Sequence, residues 1–269
     1  MNRLFFLFLV LPCLASVAEA QRSIEFSSDE IPDGGVLAVP ALADEAGELL
    51  LDGVLANVDA RTGGRLAEAL AEAGFSGADE ATLTLYGIEP FSRIDVIGLG
   101  AGPVDRPAAE DFGGLAAGLN DGSRGDTLQL LWNEAGPEAG ADRVAFGFRL
   151  GDYRFDRYQS DRLDPETRGK VHILSPDEEA DERFEDDLGH LADAILLARD
   201  LASEPANVLY PASFVARIRD AFEDVDDIRI RVLDEEDLER LGMGAHLGVG
   251  SGSSRPPRLL IIEYDGGGR

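Results

Sequence analysis

The chain has 269 residues, of which 44% are hydrophobic and 28% are charged. That length suits one large domain or two ordinary ones, and the apolar content excludes wholesale disorder. A formal net charge of −28 would repel nucleic acids and anionic lipid surfaces, so we expect neither as a partner.

Residues 1–20 have the pattern of a secretory signal peptide. Arg3 supplies the positive start, residues 4–15 form an apolar segment too short to span a bilayer, and Ala-Glu-Ala at 18–20 fits the cleavage rule for small residues. We therefore expect export to the periplasm or beyond, with no membrane attachment after cleavage. Cleavage would also remove Cys13, the only cysteine, which leaves the mature chain without disulfides, thiolate nucleophiles or cysteine metal ligands.

Residues 21–174 alternate strand and helix patterns, which is typical of an α/β domain with a parallel or mixed sheet flanked by helices. Thr62 is a candidate N-cap for one of the helices, and Gly74 is the candidate stop of the same helix. A loosely helical apolar period covers residues 49–58. Strands are predicted at 23–27, 36–40, 82–88, 94–99, 127–132 and 170–174, and helices at 62–73, 107–119 and 138–150.

Residues 175–203 are predicted to form one long helix that links this domain to a second one. The sequence Ser-Pro-Asp-Glu at 175–178 has the pattern of a capping box with proline at the first helical position. Apolar residues then repeat at helical spacing, and the helix should end before Pro205. The acidic run at 177–187 lies in the first turns, where a solvated helix start is favoured over a metal site.

Residues 204–269 have the pattern of the truncated start of a second α/β domain. The predicted elements are a helix at 211–222, a strand at 228–233 and a short helix after the N-cap Asp234. The stretch 241–264 then combines a glycine-rich turn, a Pro-Pro stop and the apolar run Leu-Leu-Ile-Ile at 259–262. Four apolar residues without polar alternation favour a strand buried on both faces, as in a parallel sheet.

Two glycine-rich segments are candidates for phosphate binding. Residues 98–102 follow a predicted strand and precede a helix, but Pro103 stands where a dinucleotide fingerprint needs its third glycine. Residues 248–254 combine glycines and serines, yet no lysine follows as in a P-loop. A structural turn is the favoured interpretation of both segments, and phosphate cradling by backbone amides is the alternative.

Side chains that could carry chemistry are scattered along the chain. The three histidines are His172, His190 and His246, and neither an HExxH zinc motif nor a GxSxG nucleophile elbow occurs. Asp186 and Asp187 share one predicted helix with His190, but on its solvent side. The residues alone therefore assign no catalytic, metal-binding or cofactor-binding site.

Three stretches together resemble the leucyl (cytosol) aminopeptidase family. They are GFRLGDYRFDRYQS at 147–160, ARDLASEPANVLYP at 198–211 and LGMGAHLGVGSGSSRPPRLLIIEY at 241–264. The segments at 63–77 and 94–100 fit the same family in order and spacing. The sequence departs from the family pattern at four positions: Gln159 stands for a lysine, Ser203 for an asparagine, His246 for an apolar residue and Ser251 for a glutamine.

The resemblance implies a peptidase that uses two divalent metal ions, zinc or manganese, to release N-terminal residues of the leucine type from peptides. It also implies an N-terminal domain similar to macro domains, a larger catalytic domain and a homo-hexamer. The family is usually cytoplasmic, which is the alternative to export.

The resemblance also identifies what these 269 residues lack. In the family, the metal-ligand lysine and aspartates follow in a VGKG-type segment, and further ligands and the catalytic arginine lie in an NTDAEGRL-type segment. Neither string occurs in this sequence, so no catalytic or metal residue is carried over. Since the chemistry needs both metals, we expect this chain to be the N-terminal part of such an enzyme and to be inactive alone.

Two alternatives from other functional classes stay open. Macro domains bind ADP-ribose-type ligands in glycine loops, so the N-terminal domain could be a non-catalytic binding module for such a ligand. The strong acidity is also compatible with an assembly protein that acts through contacts with other chains.

Overall fold

A computed structural model describes residues 21–28, 30–121, 125–160, 165–223 and 225–266. The predicted signal peptide, with Cys13, lies outside the described residues. The chain divides into two compact units, with the boundary between Leu197 and Ala198. Within the described residues, no helix has both the length and the apolar content needed to cross a membrane.

The first unit is built on a seven-stranded mixed sheet. Its strands are β1 (Ile24–Ser27), β2 (Gly35–Ala43), β3 (Leu49–Leu50), β4 (Thr82–Tyr86), β5 (Phe91–Gly98), β6 (Leu128–Leu131) and β7 (Val171–Leu174). Their order is β1-β7-β6-β2-β5-β4, with β3 paired to β2. The first five strands of that order run parallel, whereas β4 and β3 are antiparallel to their neighbours. The predicted α/β class is confirmed.

Helices cover both faces of this sheet. They are α1 (Gly53–Arg61), α2 (Arg65–Ala73), α3 (Arg106–Leu119) and α4 (Ala141–Gly151). Alternate residues of β2 point to opposite faces, so Val36 and Ala38 join one core and Leu37 and Val39 join the other. The first core includes the buried residues of α3 and α4, and the second includes those of α1 and α2.

Glycines let α3 and α4 approach each other closely. A Cβ atom on Gly113 would lie 2.1 Å from the carbonyl oxygen of Val144, and one on Gly147 would lie 1.9 Å from that of Glu110. No side chain fits in such a space. The two helices therefore pack backbone to backbone on one face of the sheet.

The predicted helix at 62–73 is shorter than expected at its start. Helix α2 begins at Arg65 after Gly64, while Thr62 ends α1 instead of capping α2. The Thr62 hydroxyl donates to the carbonyl of Asp59 and accepts from the amide of Leu66, so it joins the two helices. The prediction that Gly74 ends this helix is confirmed, with φ of 63°.

The predicted helix at 175–203 begins late, at Ala180, and then runs without interruption to its expected end at Ser203 in three successive segments. These are α5 (Ala180–Arg183), a π-helical turn (Phe184–Leu188) and α6 (Gly189–Ser203). The predicted capping box is wrong, because the Ser175 hydroxyl accepts from the amide of Asp177 and the helix begins only at Ala180. The Asp177 carboxylate accepts instead from the amide of Gly136, a tertiary contact that the local pattern does not reveal.

The second unit contains a two-stranded antiparallel sheet and short helices. Its elements, after the end of α6, are α7 (Pro211–Ala221), β8 (Ile228–Leu233), α8 (Glu235–Arg240), α9 (Gly244–Gly250) and β9 (Leu259–Tyr264). The prediction that Asp234 caps the short helix is confirmed, since its side chain accepts from the amide of Asp237.

Two predictions for residues 241–264 are wrong. Part of the expected glycine turn is helix α9, and β9 pairs antiparallel with β8 instead of joining a parallel sheet. Its residues are half-buried to exposed, with Tyr264 70% exposed. An apolar run reports burial tendency but carries no information on strand direction, which the partner strand decides.

We expect Gly147→Ala to destabilise the first unit by about 1–3 kcal/mol, because the new methyl group would overlap a backbone carbonyl of α3. Gly118→Ala, in α3, is the matched control: its methyl group meets no atom within 4 Å. Helix propensity alone should make that variant more stable by up to about 1 kcal/mol. Urea titration followed by the fluorescence of Trp132, the single tryptophan, measures both effects. Equal stability of the two variants would contradict the close packing of the helices.

Candidate functional site

The glycine loop after β5 is a structural turn that uses its own amides. The amides of residues 98, 99 and 100 donate to the carbonyls of Ala81, Ala41 and Gly77 at 2.7, 2.8 and 2.9 Å. A Cβ atom on Gly98 would lie 2.0 Å from the carbonyl oxygen of Ala78. Glycine is therefore required at this position by a close backbone approach, and these three amides cannot cradle a phosphate.

A cavity lies at the carboxyl ends of β2 and β6. The chain leaves β2 towards β5, through β3, α1, α2 and β4, and it leaves β6 in the opposite direction, through α4 to β7. Oppositely directed connections open a crevice between adjacent parallel strands, the usual ligand position in such sheets. The cavity there has a volume of about 240 Å³, and we call it the switch-point cavity; its lining includes Leu42, Leu50, Asp52, Leu99, Trp132 and Glu134.

The glycine-serine segment of the second unit is also internally bonded. The amide of Ser251 donates to the carbonyl of Gly248, that of Ser253 to the carbonyl of Gly250, and that of Arg255 to the Ser253 hydroxyl. Gly250 packs on the ring of Pro257, which a Cβ atom would approach to 2.8 Å. These contacts favour a structural role for residues 248–254.

Two of the family-like stretches meet within the second unit. The guanidinium of Arg255 lies 3.7 Å from the centre of the Tyr210 ring, and its Nη2 donates to the carbonyl of Asn207 at 3.3 Å. A cation stacked on an aromatic ring stabilises by about 0.5–2 kcal/mol. Nearby, Arg217 binds the buried carboxylate of Glu204 at 2.7 Å. Residues of the stretches 198–211 and 241–264 thus pack against each other.

The candidate chemical side chains are not brought together. His172 lies on β7 with its Nε2 3.1 Å from Glu25, His246 lies on α9 near the carbonyl of Arg258, and His190 is exposed on α6. Across the described ranges, no group of three or more His, Cys, Asp or Glu side chains is placed to hold a metal ion. The described residues therefore do not fit a metal centre, and no catalytic step can be derived through one.

Part of the acidic run is an ion cluster rather than a solvated helix start. Arg183 binds the carboxylates of Asp177 and Asp142, the latter at 2.7 Å, and both carboxylates are almost fully buried. Burial acts to raise the pKa of Asp177, but hydrogen bonds from Arg183 and the Gly136 amide outweigh it and hold the pKa below its usual value. The hydrogen bonds that Arg183 donates to Asp177 and Asp142 raise the pKa of Arg183 above its normal range.

A second buried ion cluster involves a residue of the stretch at 147–160. The Asp152 carboxylate, at the end of α4, accepts from Arg168 at 2.5 Å and from the amide of Arg22 at 3.4 Å. Arg22 also donates to the carbonyl of Asn120 at 2.6 Å. Burial raises the pKa of Asp152, while Arg168 and Arg22 act in the opposite direction. Sequence reasoning missed this cluster because its members lie far apart along the chain.

Comparison with known proteins identifies relatives for both units. The model described as "Cytosol aminopeptidase family, N-terminal domain" matches residues 38–162, and the one for the catalytic domain matches 196–269. A probable cytosol aminopeptidase of Caulobacter vibrioides is 34% identical over 250 residues, which cover 90% of this chain and 49% of the relative. One of Xanthobacter autotrophicus is 39% identical over 183 residues, or 65% of this chain and 36% of the relative.

Solved structures show the same fold. A mutant of tomato leucine aminopeptidase has a TM-score of 0.75 and 22% identity over 93% of this chain and 52% of its own. The bottromycin maturation enzyme BotP, in complex with Mn, has a TM-score of 0.61 and 25% identity over 86% of this chain and 45% of its own. The chain thus spans about half the length of the relatives that it matches.

We expect the stability difference between the parent chain and Asp177→Asn to depend on pH. A carboxylate with a lowered folded-state pKa stabilises fully above its unfolded pKa of about 3.9, and this contribution is lost as the pH falls through the folded value. At pH near 7 the variant should lose about 1–3 kcal/mol, since a buried charged hydrogen bond is removed. The loss should shrink towards acid pH in urea titrations followed by Trp132 fluorescence.

The matched control for this pH experiment is Asp181→Asn, an exposed residue of α5. Its difference from the parent chain should stay within about 0.5 kcal/mol at every pH. A loss in Asp177→Asn that is the same at neutral and acid pH would show that the ion cluster does not lower the pKa of Asp177.

Proposed function

Since the chain belongs to the cytosol aminopeptidase family, we propose that it is the N-terminal part of an aminopeptidase that releases N-terminal residues, leucine among them, from peptides. The observation that carries the proposal is the match of both the N-terminal and the catalytic domain models, in that order, to one chain. The 34% identity to a probable cytosol aminopeptidase over 90% of the chain supports it independently.

In this proposal the reacting groups belong to segments outside the described residues. Two divalent ions, zinc or manganese, would activate a water molecule and polarise the scissile carbonyl group. A complex of the related BotP with Mn supports the choice of metal. Within this proposal the described residues build the first unit and pack the family-like stretches of the second.

The cellular location and the oligomeric state of the enzyme are part of the same proposal. We propose export after removal of residues 1–20, on the basis of their charge, apolar length and Ala-Glu-Ala cleavage pattern. The cytoplasm, usual for the family, is the alternative, and detection of the intact N-terminus in the soluble cell fraction would favour it. We also propose a homo-oligomer, a hexamer by resemblance, whose mass light scattering would measure.

The alternative function, an ADP-ribose-type binding module, has less support. The amides of the glycine loop after β5 are engaged by protein carbonyls, and carboxylates rather than cations line the switch-point cavity. A diphosphate group would meet like charge there. No observation on the described residues favours an assembly role over the peptidase role.

We expect residues 21–269 to show no metal-dependent hydrolysis of leucine p-nitroanilide when manganese or zinc is added. The reason is that the described residues hold no cluster able to bind the metals that the reaction needs. An active member of the family, assayed in the same buffer, serves as the positive control. Turnover that rises with added metal and disappears with a chelator would contradict the proposal that the catalytic groups lie outside the described residues.

A further inference from the structure

The switch-point cavity has an apolar wall inside the first unit. Leu55, Leu99 and Trp132 are each less than one-tenth exposed and form part of this wall. At about 240 Å³ the cavity is smaller than the roughly 300–1,000 Å³ that is usual for drug-sized ligands. Its size and walls fit one small molecule with an apolar group, and exclude a dinucleotide.

The first residues of a helix, Gly53, Val54 and Leu55, line one side of the same cavity. Helix α1 begins there at Gly53, and its first hydrogen bond within the helix runs from the amide of Ala56 to the carbonyl of Asp52. The amides of Gly53, Val54 and Leu55 precede that bond and so have no partner within the helix. The Asp52 side chain accepts no hydrogen bond from the helix start, and φ of Gly53 is 50°. A left-handed residue followed by helical ones aims successive amides at one point, an arrangement that suits a carboxylate group.

Two carboxylates and one neutral amide side chain line the cavity as well. Asp52 precedes α1, and Asn133 and Glu134 follow β6. Two carboxylates beside an apolar wall attract an ammonium group and repel phosphate. The large net charge of the chain acts in the same sense, because it disfavours any ligand that carries net negative charge.

We propose that the switch-point cavity binds a free α-amino acid with an apolar side chain. The ligand carboxylate would accept from the amides at the start of α1, its ammonium group would bind Glu134 and Asp52, and its side chain would pack on the wall that includes Trp132. A zwitterion is the ligand class that uses amide donors, carboxylates and an apolar wall together without adding net charge. The inference stands on the cavity alone and does not depend on the peptidase activity.

Trp132 is a built-in reporter for this site, since it lines the cavity and is the only tryptophan. Titration of the purified chain with L-leucine should give a saturable change in Trp132 emission, with a dissociation constant in the millimolar range or below. Glycine, leucinamide and 4-methylpentanoate each lack one of the three matched groups. Each should bind at least about tenfold more weakly, which is the cost of losing one charged hydrogen bond or the apolar contact.

The matched variants are Glu134→Gln and Glu138→Gln. Glu134 lines the cavity, whereas Glu138 lies outside the lining and its side chain is 81% exposed. The first change should weaken leucine binding about tenfold and the second should leave it unchanged, with equal melting temperatures for both. Calorimetric heat without a change in Trp132 emission, equal affinity of the two variants, or tighter binding of ADP-ribose than of leucine would each overturn the proposal, as would the absence of any binding.

Discussion

The first unit depends on the burial of strand β2 on both faces. Its alternate side chains pack into two separate hydrophobic cores, so helices must cover the sheet on both sides. The pair α1 and α2 covers one face and the pair α3 and α4 the other, and the chain therefore leaves neighbouring strands in opposite directions. These opposite connections open a crevice between the carboxyl ends of β2 and β6. The switch-point cavity lies in this crevice.

Buried ion clusters fix the ends of the elements that this arrangement brings together. Asp152 joins the end of α4 to residues before β1 and before β7, and Arg183 joins α5 to the start of α4. In a chain with a net charge of −28, the buried carboxylates of Asp142, Asp152 and Asp177 are each paired with an arginine. The acidic composition therefore has two parts, a solvated surface and a few paired groups that position helices.

The family relation gives these structural roles a functional setting. The stretch at 147–160 contains Asp152 and its ion cluster, and the stretches at 198–211 and 241–264 meet through Arg255 and Tyr210. These are contacts of folding and packing, and the described residues contain no metal cluster. The chain matches both domain models of the cytosol aminopeptidase family, and the switch-point cavity lies in the first unit.

The sequence by itself determined the α/β class, most strands and helices, the stop at Gly74 and the cap at Asp234, because periodicity, glycine stops and capping side chains act within a few residues. It also determined the family, through stretches whose order could be read directly. The tertiary structure decided the late start of the helix at Ala180, the antiparallel pairing of β9, the use of the glycine-loop amides and the switch-point cavity. Each of these depends on a partner distant in sequence, such as Gly136 for Asp177, and local patterns carry no information about distant partners.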